Sequence, residues 1–240
     1  VRMLGANGKP APESRRGLPS PMVAFYKMMG LCSRFPQHRS FGHYYMGYLP
    51  WDKPAKIEVV SGAFCMIRRE ALLKVGLLDE DFFMYGEDID LSYRILKGGY
   101  QNYYLPVDIL HYKGESTQKS SFRYVHVFYE AMLIFFRKHY SGMSHLLSIP
   151  VKFAIYARAS VAFTQMMTAR IRKSLGFFSP SHVDLSNQVL FDADEMSYEE
   201  MLHQLAQRSD ENIKLATYTK DIGKVITDRE VMDKDEFGYL

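Results

Sequence analysis

"FFMYGEDIDLSYRILKGGY", residues 82–100, sets three carboxylates, Glu87, Asp88 and Asp90, directly behind a run of aromatic and apolar side chains. From Glu87 onward the spacing predicts a helix, because Ile89, Tyr93 and Leu96 recur at i, i+4 and i+7. Acids in its first turn suit the positive end of the helix dipole. Asp90 and Arg94 are spaced to pair across one turn on the surface, and Gly98-Gly99 supplies a left-handed stop. An ordinary surface helix accounts for all of this. Two features point beyond it. Only Gly86 separates the acids from Phe82, Phe83, Met84 and Tyr85, so one carboxylate can face an apolar cleft. A glycine there also lets a backbone or ligand approach closely. A carboxylate held ionised by a helix N-terminus and facing a cavity is what a general base requires.

On either side the pattern alternates. Residues 57–68, "IEVVSGAFCMIR", read as a strand interrupted at Ser61-Gly62, where a glycine marks a bulge or a close backbone approach. "REALLKVG" is a short helix ending at Gly76. Beyond the acidic helix, strands are expected around Tyr100–Leu105 and Ile109–Tyr112, then a polar turn in "HYKGEST". "SSFRYVHVFYEAMLIFFRKHY" is a helix capped by Ser120 or Ser121 and stopped near Ser141-Gly142. Strands alternating with helices place the chain in the α/β class. The opening, "VRMLGANGKPAPESRRGLPSP", reads as irregular, with Arg15 and Arg16 either solvated or available to a phosphate.

The chain has 240 residues, 47% apolar and 24% charged, enough for a sizeable globular core. It begins at Val1 without a visible signal peptide, so a processed product or a part of a longer sequence is expected. Cys32 and Cys65 share no metal or redox spacing, which makes a reducing cytoplasm the default. The net charge of +3 hides a division. Residues 1–130 carry 17 basic and 13 acidic side chains, residues 131–183 carry 7 Lys/Arg and no acid, and residues 184–240 carry a net −8. Three parts with different surroundings are expected.

Residues 145–173 are apolar but interrupted by Pro150, Lys152 and Arg158, so no run reaches the ~18–20 uncharged residues of a spanning helix. Lys152, Arg158, Arg170, Arg172 and Lys173 fall within about one half of a helix, as in a helix lying in a membrane interface against anionic head groups. A buried helix with snorkelling basic side chains is the alternative. Nucleic acid is not expected as a partner, because no binding motif accompanies the basic residues. The tail reads as a small acidic βαβ appendix, with a helix beginning near Ser197 and a second strand in "NIKLATY". Asp192 and Asp194 resemble a metal-binding Asp-x-Asp, a pattern that is also common in turns.

In order and spacing, Ser-Gly-Ala-Phe at 61–64, Asp-Glu-x-Phe-Phe at 79–83, Gly-Glu-Asp-x-Asp-Leu at 86–91 and His-x-x-Gly-x-Ser at 111–116 resemble the second half of a family 2 glycosyltransferase. The likeness is to the bacterial rhamnosyltransferase-like branch that builds surface polysaccharides, and it covers about residues 1–140. It implies a GT-A fold whose acceptor-side half occupies residues 1–142, followed by the basic helical segment 143–180 and the appendix 181–240. The donor half, with its Asp-x-Asp, would precede residue 1, so the chain is expected to be N-terminally truncated and to bind no nucleotide-sugar tightly by itself.

The resemblance also implies roles. Asp88 deprotonates the acceptor hydroxyl, with Glu87 orienting it or the acceptor. His111 helps hold a divalent metal, Mg²⁺ or Mn²⁺, on the donor diphosphate. Ser61, Gly62, Ala63 and Phe64 lie near the reacting sugar, and Tyr85 and Arg16 join them in donor or acceptor binding. The expected activity is inverting, metal-dependent transfer from a nucleotide-sugar donor to a glycan or lipid-linked acceptor, at the inner face of the cell membrane. A non-catalytic carbohydrate- or lipid-binding fragment is the second reading. A glycoside hydrolase ranks last, since adjacent Glu87 and Asp88 cannot flank a glycosidic bond.

Overall fold

A computed structural model describes residues 1–111, 122–140 and 187–238 apart from 212 and 229, with the single positions 156, 160, 163, 164, 167, 168 and 171. In chain order its elements are β1 (Arg2–Leu4), α1 (Pro21–Met28), α2 (Leu31–Arg34), β2 (Ala55–Ile57), α3 (Arg69–Val75) and α4 (Glu87–Lys97). They continue with β3 (Asn102–Tyr104), β4 (Asp108–Leu110), α5 (Phe122–His139), β5 (Gln188–Asp192) and α6 (Tyr198–Gln207). The last are β6 (Lys214–Thr219), β7 (Lys224–Ile226), β8 (Val231–Asp233) and α7 (Lys234–Gly238). Mixed α/β structure is what the alternating pattern predicts, and its strands form small sheets of two, two and four strands among the described residues. The chain divides into two compact units, one of Pro12–Pro106 with Thr117–Phe178, the other of Val1–Ala11, Val107–Ser116 and Ser179–Leu240. The expected boundaries at 142 and 180 lie outside the described residues, as do Lys152, Arg158, Arg170, Arg172 and Lys173. No helix among the described residues is long and apolar enough to cross a membrane.

The first unit is built around two helices. α4 and the segments before it contribute Val59, Phe82 and Ile89, and α5 contributes Ala131, Met132, Phe135 and Phe136, to one buried cluster. Phe135 is wholly buried, which stabilises the fold by roughly 1.5–3 kcal/mol. The buried face of α4 is Ile89, Asp90, Leu91, Ser92 and Ile95, so the stripe read from Ile89, Tyr93 and Leu96 is only partly the core face. β2 and β3 pair antiparallel, with Ile57 opposite Asn102, and Ile57, Tyr104 and Met46 form a second cluster. Asn102 Nδ2 donates to the carbonyls of Glu58 (2.7 Å) and Ser92 (3.1 Å), tying this ribbon to α4.

The strand expected over residues 57–68 ends early. Past Ile57 the backbone leaves the sheet, because the N–H groups of Glu58 (3.1 Å) and Val59 (2.9 Å) both donate to the carbonyl of Arg16. Residues 62–66 then form an exposed loop.

In the second unit β1 pairs with β4 in parallel, Arg2 opposite Asp108, and these two side chains form an ion pair. β5 and β6 are parallel and joined by α6, whose Ser197 cap accepts the Glu200 N–H at 3.3 Å. β7 and β8 add antiparallel, giving the order β5-β6-β7-β8. Met201 and Leu205 of α6 pack on Phe191 and Leu215 of the sheet.

Candidate functional site

The approach to α4 is conformationally forced. Tyr85 and Gly86 both adopt positive φ, +66° and +91°. For Tyr85 this is an uncommon and strained backbone state. At Gly86 any side chain is shut out as well, since a Cβ there would lie 2.9 Å from the Phe82 ring and 3.2 Å from Ala131 Cβ. The packed core thus fixes where the helix begins, and with it Glu87 and Asp88.

Asp88 Oδ2 meets two donors. It accepts the Gly62 N–H at 3.3 Å and is ion-paired with Arg16 Nη2. The two charged side chains are largely shielded, 13% exposed for Arg16 and 16% for Asp88. Burial pushes the Arg16 guanidinium down, but the neighbouring Asp88 outweighs this and holds it above its ordinary range. Glu87 is half-buried, and that burial raises its carboxyl above the usual value. Glu87 Oε2 and Arg16 Nε are closed off from water without a hydrogen-bond partner among the described residues. A polar ligand group could satisfy either atom.

The structure therefore brings together Arg16, Gly62, Glu87 and Asp88. Of the 61–64 loop, Gly62 touches Asp88 through its backbone, Ser61 Oγ accepts weakly from the Ala63 N–H at 3.4 Å, and Phe64 is exposed. The Tyr85 ring stands 6.3 Å from that of Phe128. His111 follows β4 in the other unit, its N–H donating to the Leu4 carbonyl at 2.8 Å. Asp192 and Asp194 sit in a turn: Asp192 Oδ1 accepts the Asp194 N–H at 3.0 Å, and Asp194 Oδ2 accepts the Lys220 N–H at 2.7 Å. Among the described residues no three His, Cys, Asp or Glu side chains converge as a metal set.

Two expectations are corrected. The solvated reading of Arg15 and Arg16 fails: Arg15 is buried, its guanidinium 3.5 Å from the Trp51 ring centroid, and Arg16 is paired with Asp88. The Asp90–Arg94 bond exists at 2.7 Å but not on the surface, for Asp90 is only 1% exposed and also binds His139 Nε2 at 2.6 Å. A carboxylate gives up its water only where other donors replace it. Arg94 and His139 supply them.

The sequence reading missed His43 and Glu58. Glu58 Oε2 accepts from His43 Nε2 at 2.9 Å and from the Leu18 N–H at 2.6 Å. Its bond to Glu58 raises the His43 ring above its ordinary value. At Glu58 burial pushes the carboxyl up, but the bonds from His43 and Leu18 outweigh it and leave the group below its usual range. The only hint in the sequence was an acid inside the β-branched run "IEVV".

The family described as glycosyl transferase family group 2 matches residues 35–194, about two thirds of the chain. The chain belongs to this family. Ser61 to Phe64, Tyr85, Glu87, Asp88 and His111 all fall inside the matched region of this family 2 chain, and Arg16 lies outside it. It is also similar to N-acetylglucosaminyl-diphospho-decaprenol L-rhamnosyltransferases of two Mycobacterium tuberculosis strains, CDC 1551 / Oshkosh and ATCC 25618 / H37Rv. Each is 29% identical over 126 residues, 52% of this family 2 chain and 39% of the relative's length. No solved structure matches.

Proposed function

We propose that this chain activates the acceptor in an inverting sugar transfer, from a nucleotide-sugar donor to a glycan or lipid-linked acceptor in surface polysaccharide synthesis. The observation that carries the reading is the Asp88 carboxylate, at the start of a helix and anchored through Oδ2 by Arg16 and the Gly62 N–H, in a chain of this family. Both anchors fall on one oxygen, which leaves Oδ1 to take the acceptor proton. As the hydroxyl oxygen attacks the anomeric carbon, its proton passes to Oδ1, and the bond to the nucleotide diphosphate breaks on the opposite face, that group leaving with the electron pair. Glu87, beside Asp88 in the same helical turn and with Oε2 unpartnered among the described residues, can accept from a second hydroxyl of the acceptor and hold it in line. The names of the mycobacterial relatives favour a rhamnosyl group and an N-acetylglucosaminyl-diphospholipid acceptor.

A GT-A arrangement and a divalent ion on the donor diphosphate, Mg²⁺ or Mn²⁺, belong to the reading through the family resemblance; the ion would supply Lewis-acid help to the leaving group. The described residues do not assemble its ligand set, and His111 alone does not make one. Association with anionic membrane is proposed from the acid-free stretch 131–183. Liposome sedimentation should weaken steeply as salt rises, and binding indifferent to salt would count against it.

The deciding experiment is a transfer assay with labelled nucleotide-sugars and a polyprenyl-diphosphate-linked acceptor. Asp88→Asn should lower turnover by about 10²–10⁴-fold, the usual worth of a positioned base. Near-normal turnover in that variant would sink the reading.

A further inference from the structure

The ion pair between Arg16 and Asp88 depends on where the backbone carries Arg16, and that backbone is held by Glu58 together with the Val59 N–H, which donates to the Arg16 carbonyl at 2.9 Å. The Glu58 N–H donates to the Arg16 carbonyl at 3.1 Å, and Glu58 Oε2 accepts the Leu18 N–H at 2.6 Å. Main chain and side chain of Glu58 thus hold both ends of the Arg16–Leu18 segment. His43 closes the grip. Its Nε2 lies 2.9 Å from the same Glu58 oxygen, and since a carboxylate can only accept, Nε2 carries the proton. Tyr48 Oη lies 3.2 Å from the other ring nitrogen, Nδ1.

Gly17, between the clamped residues, reports how close this contact is. A Cβ at Gly17 would lie 2.5 Å from the His43 carbonyl oxygen and 2.6 Å from ring atom Cδ2. The Gly17 N–H donates in turn to the Tyr44 carbonyl at 3.2 Å. Apart from a local turn in which the Ser20 N–H donates to the Leu18 carbonyl at 2.8 Å, the backbone bonds of the segment point to the Glu58–Val59 or the His43–Tyr44 side.

We propose that Glu58 and His43 are positioning residues that hold Arg16 against Asp88, and so set the orientation of the Asp88 carboxylate. This rests on the reading of Asp88 as the acceptor base, but it can be tested without any sugar. Glu58 acts through the Arg16 backbone and then through the guanidinium, which is why its removal should be felt at Arg16 before anywhere else.

The test is nuclear magnetic resonance of the arginine guanidinium protons in the ¹⁵N-labelled chain, read as exchange rates with water. Arg94 is the internal control: it lies in the same unit and is held independently by Asp90 and by the carbonyls of Val75 (2.6 Å) and Leu77 (2.7 Å). In wild type both arginines should be protected, and Asp88→Asn should release Arg16 alone. Glu58→Ala should speed Arg16 exchange about three- to tenfold, the worth of one lost hydrogen bond, and leave Arg94 unchanged. Glu58→Gln, which keeps an acceptor for the Leu18 N–H, should restore part of the protection. His43→Leu and Gly17→Ala should each move Arg16 in the same direction as Glu58→Ala, and either one serves if Glu58→Ala does not fold. Equal acceleration of Arg16 and Arg94 would show a merely structural role and overturn the proposal, as would an Arg16 indifferent to all of these changes. Because no transfer is measured, failure here leaves the transferase reading standing. A failed Asp88→Asn transfer assay would remove the base that is being positioned but would leave the hold of Glu58 and His43 on Arg16 measurable, so the two failures are distinguishable.

Discussion

His139 Nε2 lies 2.6 Å from Asp90 Oδ1, so the last turn of α5 is bonded to the first turn of α4 through a carboxylate that is shut off from water. The other oxygen of Asp90 binds Arg94 Nε at 2.7 Å, and the same guanidinium reaches the carbonyls of Val75 and Leu77 at the end of α3. One buried acid thus joins three helices, two residues away from Asp88. Asp90→Asn cannot accept from both donors and should cost about 2–3 kcal/mol, as for buried bonds to charged groups. A surface pair would cost under about 1 kcal/mol. Denaturant unfolding of the variant distinguishes these values.

Gly86→Ala should be more damaging than its position before a helix suggests. Alanine at positive φ is strained by about 1–2 kcal/mol, and its Cβ would press on the Phe82 ring and Ala131. With overpacking of about 1–3 kcal/mol added, a loss of about 2–5 kcal/mol is expected in the same unfolding assay. A change below about 0.5 kcal/mol would mean the start of α4 is not pinned by the core.

Glu87→Gln should separate stability from function. The wild-type carboxyl is raised by burial, and its Oε2 has no partner among the described residues. A raised carboxyl penalises folding at neutral pH, and the penalty lifts as pH falls towards the folded value. Glutamine removes the charge, so the melting temperature at pH 7.5 should stay level or rise while transfer falls. A clear drop in melting temperature would show that the Glu87 charge is compensated.

The His43–Glu58 pair predicts a stability window. Glu58 sits below its ordinary value, so its contribution is present above about pH 4.3 and is lost as pH falls through the lowered value. His43 sits above its ordinary value, so its contribution is complete below about pH 6.5 and is lost as pH rises through the raised value. The stability gap between wild type and His43→Leu should therefore be widest between about pH 4.5 and 6.5 and narrow on the alkaline side. A gap that is flat from pH 5 to 9 would exclude an ionic component.

Local pattern carried much of this protein into view. The helix starting at Glu87, the short helix stopping at Gly76, the α6 cap at Ser197 and the β6 strand in "NIKLATY" follow from spacing, capping residues and β-branched runs, all of which act over a few residues. The order of motifs around Asp88 was also legible, and it placed the chain in its family. The partners of the acids were not. Arg16 and Asp88 are 72 residues apart in sequence, Asp90 and His139 are 49 apart, and Glu58 grips a segment 40 residues upstream. Nothing in local periodicity distinguishes a solvated arginine from a buried one, because burial is set by what packs above it. The sequence determined where charges lie along each element. Tertiary packing decided which were stripped of water, and a stripped charge must find its counterpart wherever the fold brings one.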